Sequence, residues 1–294
     1  MTHPPRFGLF VRPESPWPSI LRCGQKAEAL GFDSLWTGDT MYDPFRPDTG
    51  LLDCWTVIAA WAAATGRIRI GSLISNIIFR SPALLARQAA SVDQISGGRL
   101  ELGIGAGMFP TDHAMNGIPV WGPRERRERL AETIEIVDRL LQGRLEPYSG
   151  RYYSFSEAVM AVLPLQQPRP PLTIAASHRR SIALAARYAD SWNTFGGLGL
   201  TVDEHFEYAA RRARILDECC AQVGRDPEAI RRSILVYSPL DPWESVGAFR
   251  SIVGRFQTLG FSEFILYWPR DHQMRILDQV AKEVLPALRE RPER

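Results

Sequence analysis

Lysine is nearly missing from this chain of 294 residues: only Lys26 and Lys282 occur, both in segments that read as helices. Aldolases and hydrolases that work without a redox cofactor place a lysine or paired carboxylates at strand ends, so that reading is poor here. Cysteine is scarce as well. Cys23, Cys54, Cys219 and Cys220 form no C-x-x-C spacing, and the adjacent pair lies inside a helical pattern, so a reduced, cytoplasmic protein is expected. The five histidines at 3, 113, 178, 205 and 272 are scattered, and no metal site is expected. No apolar run approaches membrane-spanning length, and Met1-Thr2-His3-Pro4-Pro5 has no signal-peptide core, which argues against a membrane role. The formal charge of +2 is too balanced for a nucleic-acid partner, and no segment interleaves basic with aromatic residues. The arginine-rich run 124–129 carries Glu125 and Glu128 at helical spacing and reads as a solvated helix face.

What the chain does have is patterned glycine. The stretch Ser96-Gly97-Gly98-Arg99-Leu100-Glu101-Leu102-Gly103-Ile104-Gly105-Ala106-Gly107 follows a helix opening at Ser81-Pro82, which itself follows the apolar run Ile68–Ile74. Two apolar strands separated by a helix of about 14 residues need a crossover and are therefore parallel neighbours. Gly97-Gly98 ends the helix, where a positive φ is cheapest. Gly103, Gly105 and Gly107 give G-x-G-x-G rather than G-x-G-x-x-G, and no amphipathic helix starts after them. A dinucleotide fingerprint is set aside on that ground.

The same alternation runs along most of the chain. Strands are expected at Phe7–Val11, Ser34–Thr37, Ile68–Ile74, Leu100–Ile104, Leu172–Ala175, Ser191–Asn193, Ser233–Tyr237 and Glu263–Tyr267. Helices are expected at Trp17–Leu30, Leu52–Thr65, Pro82–Ile95, Arg180–Tyr188, Val202–Val223, Glu244–Leu259 and Met274–Leu288. Residues 108–171 break the pattern. They read as a loop from Met108 to Pro123, a charged amphipathic helix Arg124–Leu141 with Leu130, Ile134, Val137 and Leu141 on one face, a hairpin or extended arm near 150–155, and a proline-rich tail. Counting that helix, eight strands alternate with eight helices. The expected fold is α/β: a single (β/α)8 TIM barrel over residues 1–294, with an insertion between strands four and five; an open doubly wound sheet is the alternative.

Several motifs in series carry a family resemblance. Gly31-Phe32-Asp33-Ser34-Leu35-Trp36, Ile70-Gly71-Ser72-Leu73-Ile74, Arg80-Ser81-Pro82-Ala83-Leu84-Leu85-Ala86 and Asp93-Gln94-Ile95-Ser96-Gly97-Gly98-Arg99 are similar to the bacterial luciferase-like oxidoreductases. So are Leu102-Gly103-Ile104-Gly105-Ala106-Gly107 and Ala185-Ala186-Arg187-Tyr188-Ala189-Asp190-Ser191-Trp192-Asn193. The resemblance runs from about residue 6 to about 200 and implies a TIM barrel that binds FMN or the deazaflavin F420 at the C-terminal ends of its strands. Gly-Ala-Gly followed by Asp112-His113 resembles the deazaflavin-using branch. Two positions depart from it: Thr40 follows Asp39 where that branch usually has histidine, and Met108 stands where it usually has tryptophan.

The expected cofactor contacts follow. Backbone amides at a helix N-terminus, a hydroxyl and nearby arginines make an anion site of Ala175, Ala176, Ser177, His178 and Arg179, where the resemblance places the family's phosphate loop. Ser177 as a simple helix cap is the alternative. Gly105, Ala106 and Gly107 leave space for a flat ring, and Leu73, Ile74, Ser75 and Asn76 end strand three, where the resemblance places support for the ring face. Trp192 and Asn193 are expected beside the phosphate loop, and Trp36 and Trp55 in the core. Asp39 orients cofactor, binds substrate or caps its own loop. His113 is the candidate for proton transfer, since its ordinary pKa suits it. The resemblance also implies a non-prolyl cis peptide between Leu73 and Ile74, and a homodimer using helix 52–65 or 82–95.

The expected activity is hydride transfer to or from a small organic substrate with F420, the cofactor carrying the chemistry. The alternatives are an FMN-dependent two-component monooxygenase fed by a separate flavin reductase, and a non-catalytic flavin-binding barrel. The resemblance places the substrate walls in loops 40–50, 108–123 and 194–201.

Overall fold

The computed structural model describes residues 3–43, 46, 48–107, 109–197 and 199–290. Strand β1 (Arg6–Phe10) is followed by α1 (Trp17–Ala29), β2 (Ser34–Thr37), α2 (Cys54–Ala64), β3 (Arg69–Ser72), β4 (Ser75–Asn76), α3 (Pro82–Ser96) and β5 (Leu100–Gly105). Next come α4 (Pro110–Met115), α5 (Pro123–Leu141), and the short strands β6 (Tyr148–Ser149) and β7 (Ser154–Phe155). Alternation resumes with β8 (Leu172–Ala175), α6 (Arg179–Tyr188), β9 (Ser191–Phe195), α7 (Val202–Val223), β10 (Arg231–Val236), α8 (Val246–Thr258) and β11 (Glu263–Tyr267). The last helical stretch is α9 (Met274–Gln279) and α10 (Leu285–Arg289), joined by a π-helical turn at Val280–Val284. Pro286 has no N–H to return to Lys282, which suits a wider turn just before it. With β3 and β4 as one interrupted strand, the order is that of a (β/α)8 barrel, with an insertion after β5.

The chain divides into two compact units. One comprises Met1–Val11, Cys23–Trp36 and Thr173–Arg294; the other comprises Arg12–Arg22 and Thr37–Leu172. In the first, β1 pairs in parallel with β2 and β11, β10 pairs with β11 and β9, and β9 pairs with β8. Its core stacks Phe7 on Phe264 with ring centroids 5.4 Å apart, and Trp243 lies against Phe249 at 5.8 Å. Trp36 is wholly buried, as expected, and its indole N–H donates to Ser34 Oγ at 2.7 Å.

In the second unit β5 pairs in parallel with both β3 and β4. Helix α3 shows why its ends were readable: Ser81 Oγ accepts from the Leu84 N–H, Pro82 takes the first position, and Gly97 closes the helix in the left-handed region. Arg99, just past that turn, has a structural task. Its guanidinium donates to the carbonyls of Ala62, Thr65, Ile68 and Ser96 and to Thr65 Oγ1, at 2.6–2.9 Å. It thereby ties the C-terminal ends of α2 and α3 together. Trp55 is buried, as expected, and on α5 the predicted face of Leu130, Ile134, Val137 and Leu141 is buried too.

Three local expectations are corrected. The strand read as Ile68–Ile74 stops at Ser72 and restarts at Ser75, and the bond between Leu73 and Ile74 is cis, as the resemblance implied. The segment read as a loop after residue 108 contains α4, which carries Asp112 and His113. The minimal strand Ser191–Asn193 continues to Phe195.

Candidate active site

In the second unit, the break between β3 and β4 folds residues 72–78 against β5. The missing Cβ atoms of β5 make this possible, because the chain itself fills the space they leave. A Cβ on Gly103 would collide with the Ser72 carbonyl oxygen, and one on Gly105 with the Ile74 side chain. Gly107 adopts φ +73°, and a Cβ there would lie 2.5 Å from Asn76 Oδ1 and from Ile78 Cδ1. Ser75 Oγ donates to Ser72 Oγ at 2.8 Å, and Ser72 Oγ to the Gly103 carbonyl at 2.9 Å. Leu73 is buried, while Ile74, Ala106 and Gly107 stay part-exposed.

A buried polar cluster lies at the end of this segment. Asp39, just beyond β2, accepts from both terminal nitrogens of Arg80 and from the Asn76 backbone N–H at 2.9 Å. The side chains of Asp39 and Arg80 are 3% and 6% exposed, so the pair is almost free of solvent screening. Burial raises the Asp39 carboxyl, against the opposing pull of Arg80 and of the Asn76 N–H. Asn76 uses its whole amide: Oδ1 accepts from the Ile78 N–H at 3.0 Å, and Nδ2 donates to Asp112 Oδ2 at 3.1 Å. Burial, opposed by the Met41 N–H and reinforced by Asp39, pushes Asp112 up to about 6. The neighbouring Cys54 thiol is raised by burial and by Asp39, and is no nucleophile. His113 is 1% exposed, packs edge-on to Trp121 at 5.1 Å, and has no hydrogen-bond partner on either ring nitrogen. Thr40, standing where a histidine was expected, donates to the Tyr42 carbonyl at 2.8 Å and closes its own turn.

In the first unit, the turn after β8 is held from behind. Trp192 is wholly buried, and its indole N–H donates to the Ala176 carbonyl at 2.9 Å. It therefore acts on this turn through that carbonyl. The Ala176 N–H donates to the Asn193 carbonyl at 3.0 Å, and Asn193 Nδ2 to Ser233 Oγ at 2.8 Å. Ala175 and Ser177 are part-exposed, and His178 and Arg179 exposed. His178, not Ser177, is the N-cap of α6, and its side chain makes no capping bond. No side chain of the N-cap residue therefore caps the first amides of α6. Arg179 is turned toward an ion pair with Glu218.

Sequence reasoning assigned no site role to Arg80 or Arg212. Arg212, on α7, is 9% exposed and donates to Thr194 Oγ1 at 3.2 Å and to the carbonyls of Phe195 and Gly196. Beside it His205, 1% exposed, is lowered by burial and by Arg212, and has no partner on Nε2. The only available signal was a charged residue falling at a core position of a helical repeat. Among the described residues no group of three potential metal ligands exists. No described helix is long and apolar enough to cross a membrane.

The sequence profile described as luciferase-like monooxygenase matches residues 1–241. The chain belongs to this family. Among relatives, the F420-dependent glucose-6-phosphate dehydrogenase of Intrasporangium calvum is 27% identical over 319 residues, covering 90% of this chain and 92% of that protein. An F420-dependent secondary alcohol dehydrogenase, solved with an F420–acetone adduct, superposes with a TM-score of 0.82 at 19% identity, covering 97% of this chain and 99% of that one. The oxygenating constituent of 3,6-diketocamphane monooxygenase from Pseudomonas putida, solved with FMN, gives a TM-score of 0.73 at 17% identity, over 97% of this chain and 99% of that one. These likenesses show a luciferase-like barrel oxidoreductase or monooxygenase, in a family with both F420- and FMN-dependent members.

Proposed function

We propose that this luciferase-like protein is an F420-dependent oxidoreductase that transfers hydride to or from a small organic substrate. The observation that carries the reading is the buried cluster of Asp39, Arg80, Asn76 and Asp112 at the end of β4. Hydride transfer to a carbonyl, or from an alcohol, leaves a proton to be handled. Asp112 is a buried carboxyl with a free oxygen and a raised pKa, placed where a proton can be kept away from water.

The residues present suit the cofactor. Ile74 and Ala106 offer part-exposed apolar surface to a ring face, next to a segment whose own polar groups are bonded internally. The uncapped start of α6, with Ser177 and His178 before it and Arg179 at its first position, suits a phosphate. When bound, the deazaflavin supplies a hydride donor or acceptor that reacts poorly with oxygen. The protein's share is to hold the ring, exclude water and keep the proton inventory of the cluster. Asp39 and Arg80 fix Asn76, and Asn76 fixes Asp112.

The reading is tested by turnover in an anaerobic cuvette, with reduced F420 and a panel of small ketones and aldehydes. Loss of reduced F420 that depends on a carbonyl substrate supports it. Oxygen-dependent product formation from reduced FMN, with no response to F420, overturns it in favour of the two-component monooxygenase.

A further inference from the structure

The cluster at the end of β4 holds two buried carboxylates and one guanidinium. Arg80 is committed to Asp39, with its two terminal nitrogens on the two oxygens of that carboxylate. Asn76 joins the carboxylates: its backbone N–H goes to Asp39, and its side-chain N–H to Asp112. The amide cannot turn round without loss, because Oδ1 is needed by the Ile78 N–H. Asp112, 1% exposed, has neutral donors alone, the Asn76 amide on Oδ2 and the Met41 backbone N–H, and no cation; its Oδ1 has no hydrogen-bond partner.

The surrounding groups do not supply the missing charge. Asp53 stands 3.9 Å from Arg80, more than half exposed, and adds negative charge. Cys54 stays a thiol. His113, the next residue on α4, has both nitrogens unpartnered and its ring against Trp121. From α5, Arg126 donates to the Gly107 carbonyl, and Arg129 stacks on Trp121 and Tyr152 at 4.4 Å from each ring centroid. Two like charges sharing one buried site cannot both ionise freely, and the one without a cation is the one that keeps a proton.

We propose that Asp112 is the proton-carrying carboxyl of this site, its charge state set by the commitment of Arg80 to Asp39 through Asn76. The proposal rests on the oxidoreductase reading only for the use made of that proton. The raised value near 6 agrees with the geometry: burial is its main cause, and the field of Asp39 adds to it.

The test is carboxyl-carbon NMR of the cofactor-free protein, labelled at aspartate, followed from about pH 4 to about pH 8. Wild type should show one aspartate titrating within about a unit of pH 6. That resonance should be missing in Asp112→Asn. In Asp39→Asn, which removes the neighbouring negative charge and frees Arg80, it should move down by about one unit or more. No aspartate titrating above about pH 5, or a near-neutral resonance that survives in Asp112→Asn, overturns the proposal. If Asp112→Asn does not fold, the wild-type curve and the Asp39→Asn displacement decide by themselves. A protein that titrates as expected yet binds neither F420 nor FMN keeps the proton carrier and loses the oxidoreductase reading, so the two failures are separable.

Discussion

Replacing Arg80 with methionine should expose how the site is held together. The Arg80–Asp39 pair is almost solvent-free, so removing the guanidinium leaves a carboxylate with one backbone N–H and little else. Breaking a buried pair from one side typically costs about 3–5 kcal/mol, and Arg80→Met should fall in that range near pH 7. Asp39→Asn should also destabilise, because it strands the guanidinium. The double variant should be more stable than the sum of the single losses by about 2 kcal/mol or more. The penalty should depend on pH. Burial already raises Asp39 from its ordinary 3.8, and loss of Arg80 raises it further. A folded-state pKa raised above the unfolded one means that stability is retained at low pH and lost as pH rises through the folded value. The Arg80→Met deficit should therefore shrink on acidification. Urea denaturation of cofactor-free protein, followed by circular dichroism at several pH values, measures all of this. Additive losses with no pH dependence would refute the reasoning.

Much of the architecture was legible because it rests on local chemistry. The alternation of apolar runs with capped helices gave the barrel, and Ser81-Pro82 and Gly97 marked both ends of α3. The break in the third barrel strand was legible only through family resemblance, since Leu73 and Ile74 continue an apolar run. Helix α4 was missed because six residues, starting at a proline, show no periodicity. Gly105 and Gly107 were read, with Ala106, as leaving space for a flat ring; the positions of their missing Cβ atoms are taken by Ile74, Asn76 and Ile78. Arg80 and Arg212 were invisible as site residues because composition treats arginine as a surface residue until a fold buries it. Ser75 and Asn76 were read as part of the support for a ring face; the structure adds that their side-chain polar atoms are bonded within the protein.

Further outcomes follow from the same structure. Asp112 is raised from 3.8 to about 6, so its contribution to stability falls as pH rises between those values; Asp112→Asn should remove that slope and gain up to about 3 kcal/mol above it, read by urea denaturation at pH 4 and pH 7. Gly103→Ala should destabilise more than Gly105→Ala, because a backbone carbonyl blocks the first Cβ and a movable isoleucine the second; about 1–3 kcal/mol is expected for Gly105→Ala by thermal or urea melts. Glu218→Gln, which releases Arg179 from an exposed pair, should change stability by less than about 1 kcal/mol and tighten binding of a phosphate-bearing cofactor, measured by calorimetry.

Equilibrium titration of the purified protein with oxidised F420 and oxidised FMN, side by side under one set of conditions, tests the central claim most directly. Micromolar binding of F420, with FMN much weaker or undetected, is the predicted result. Micromolar binding of FMN with no detectable binding of F420 would contradict it.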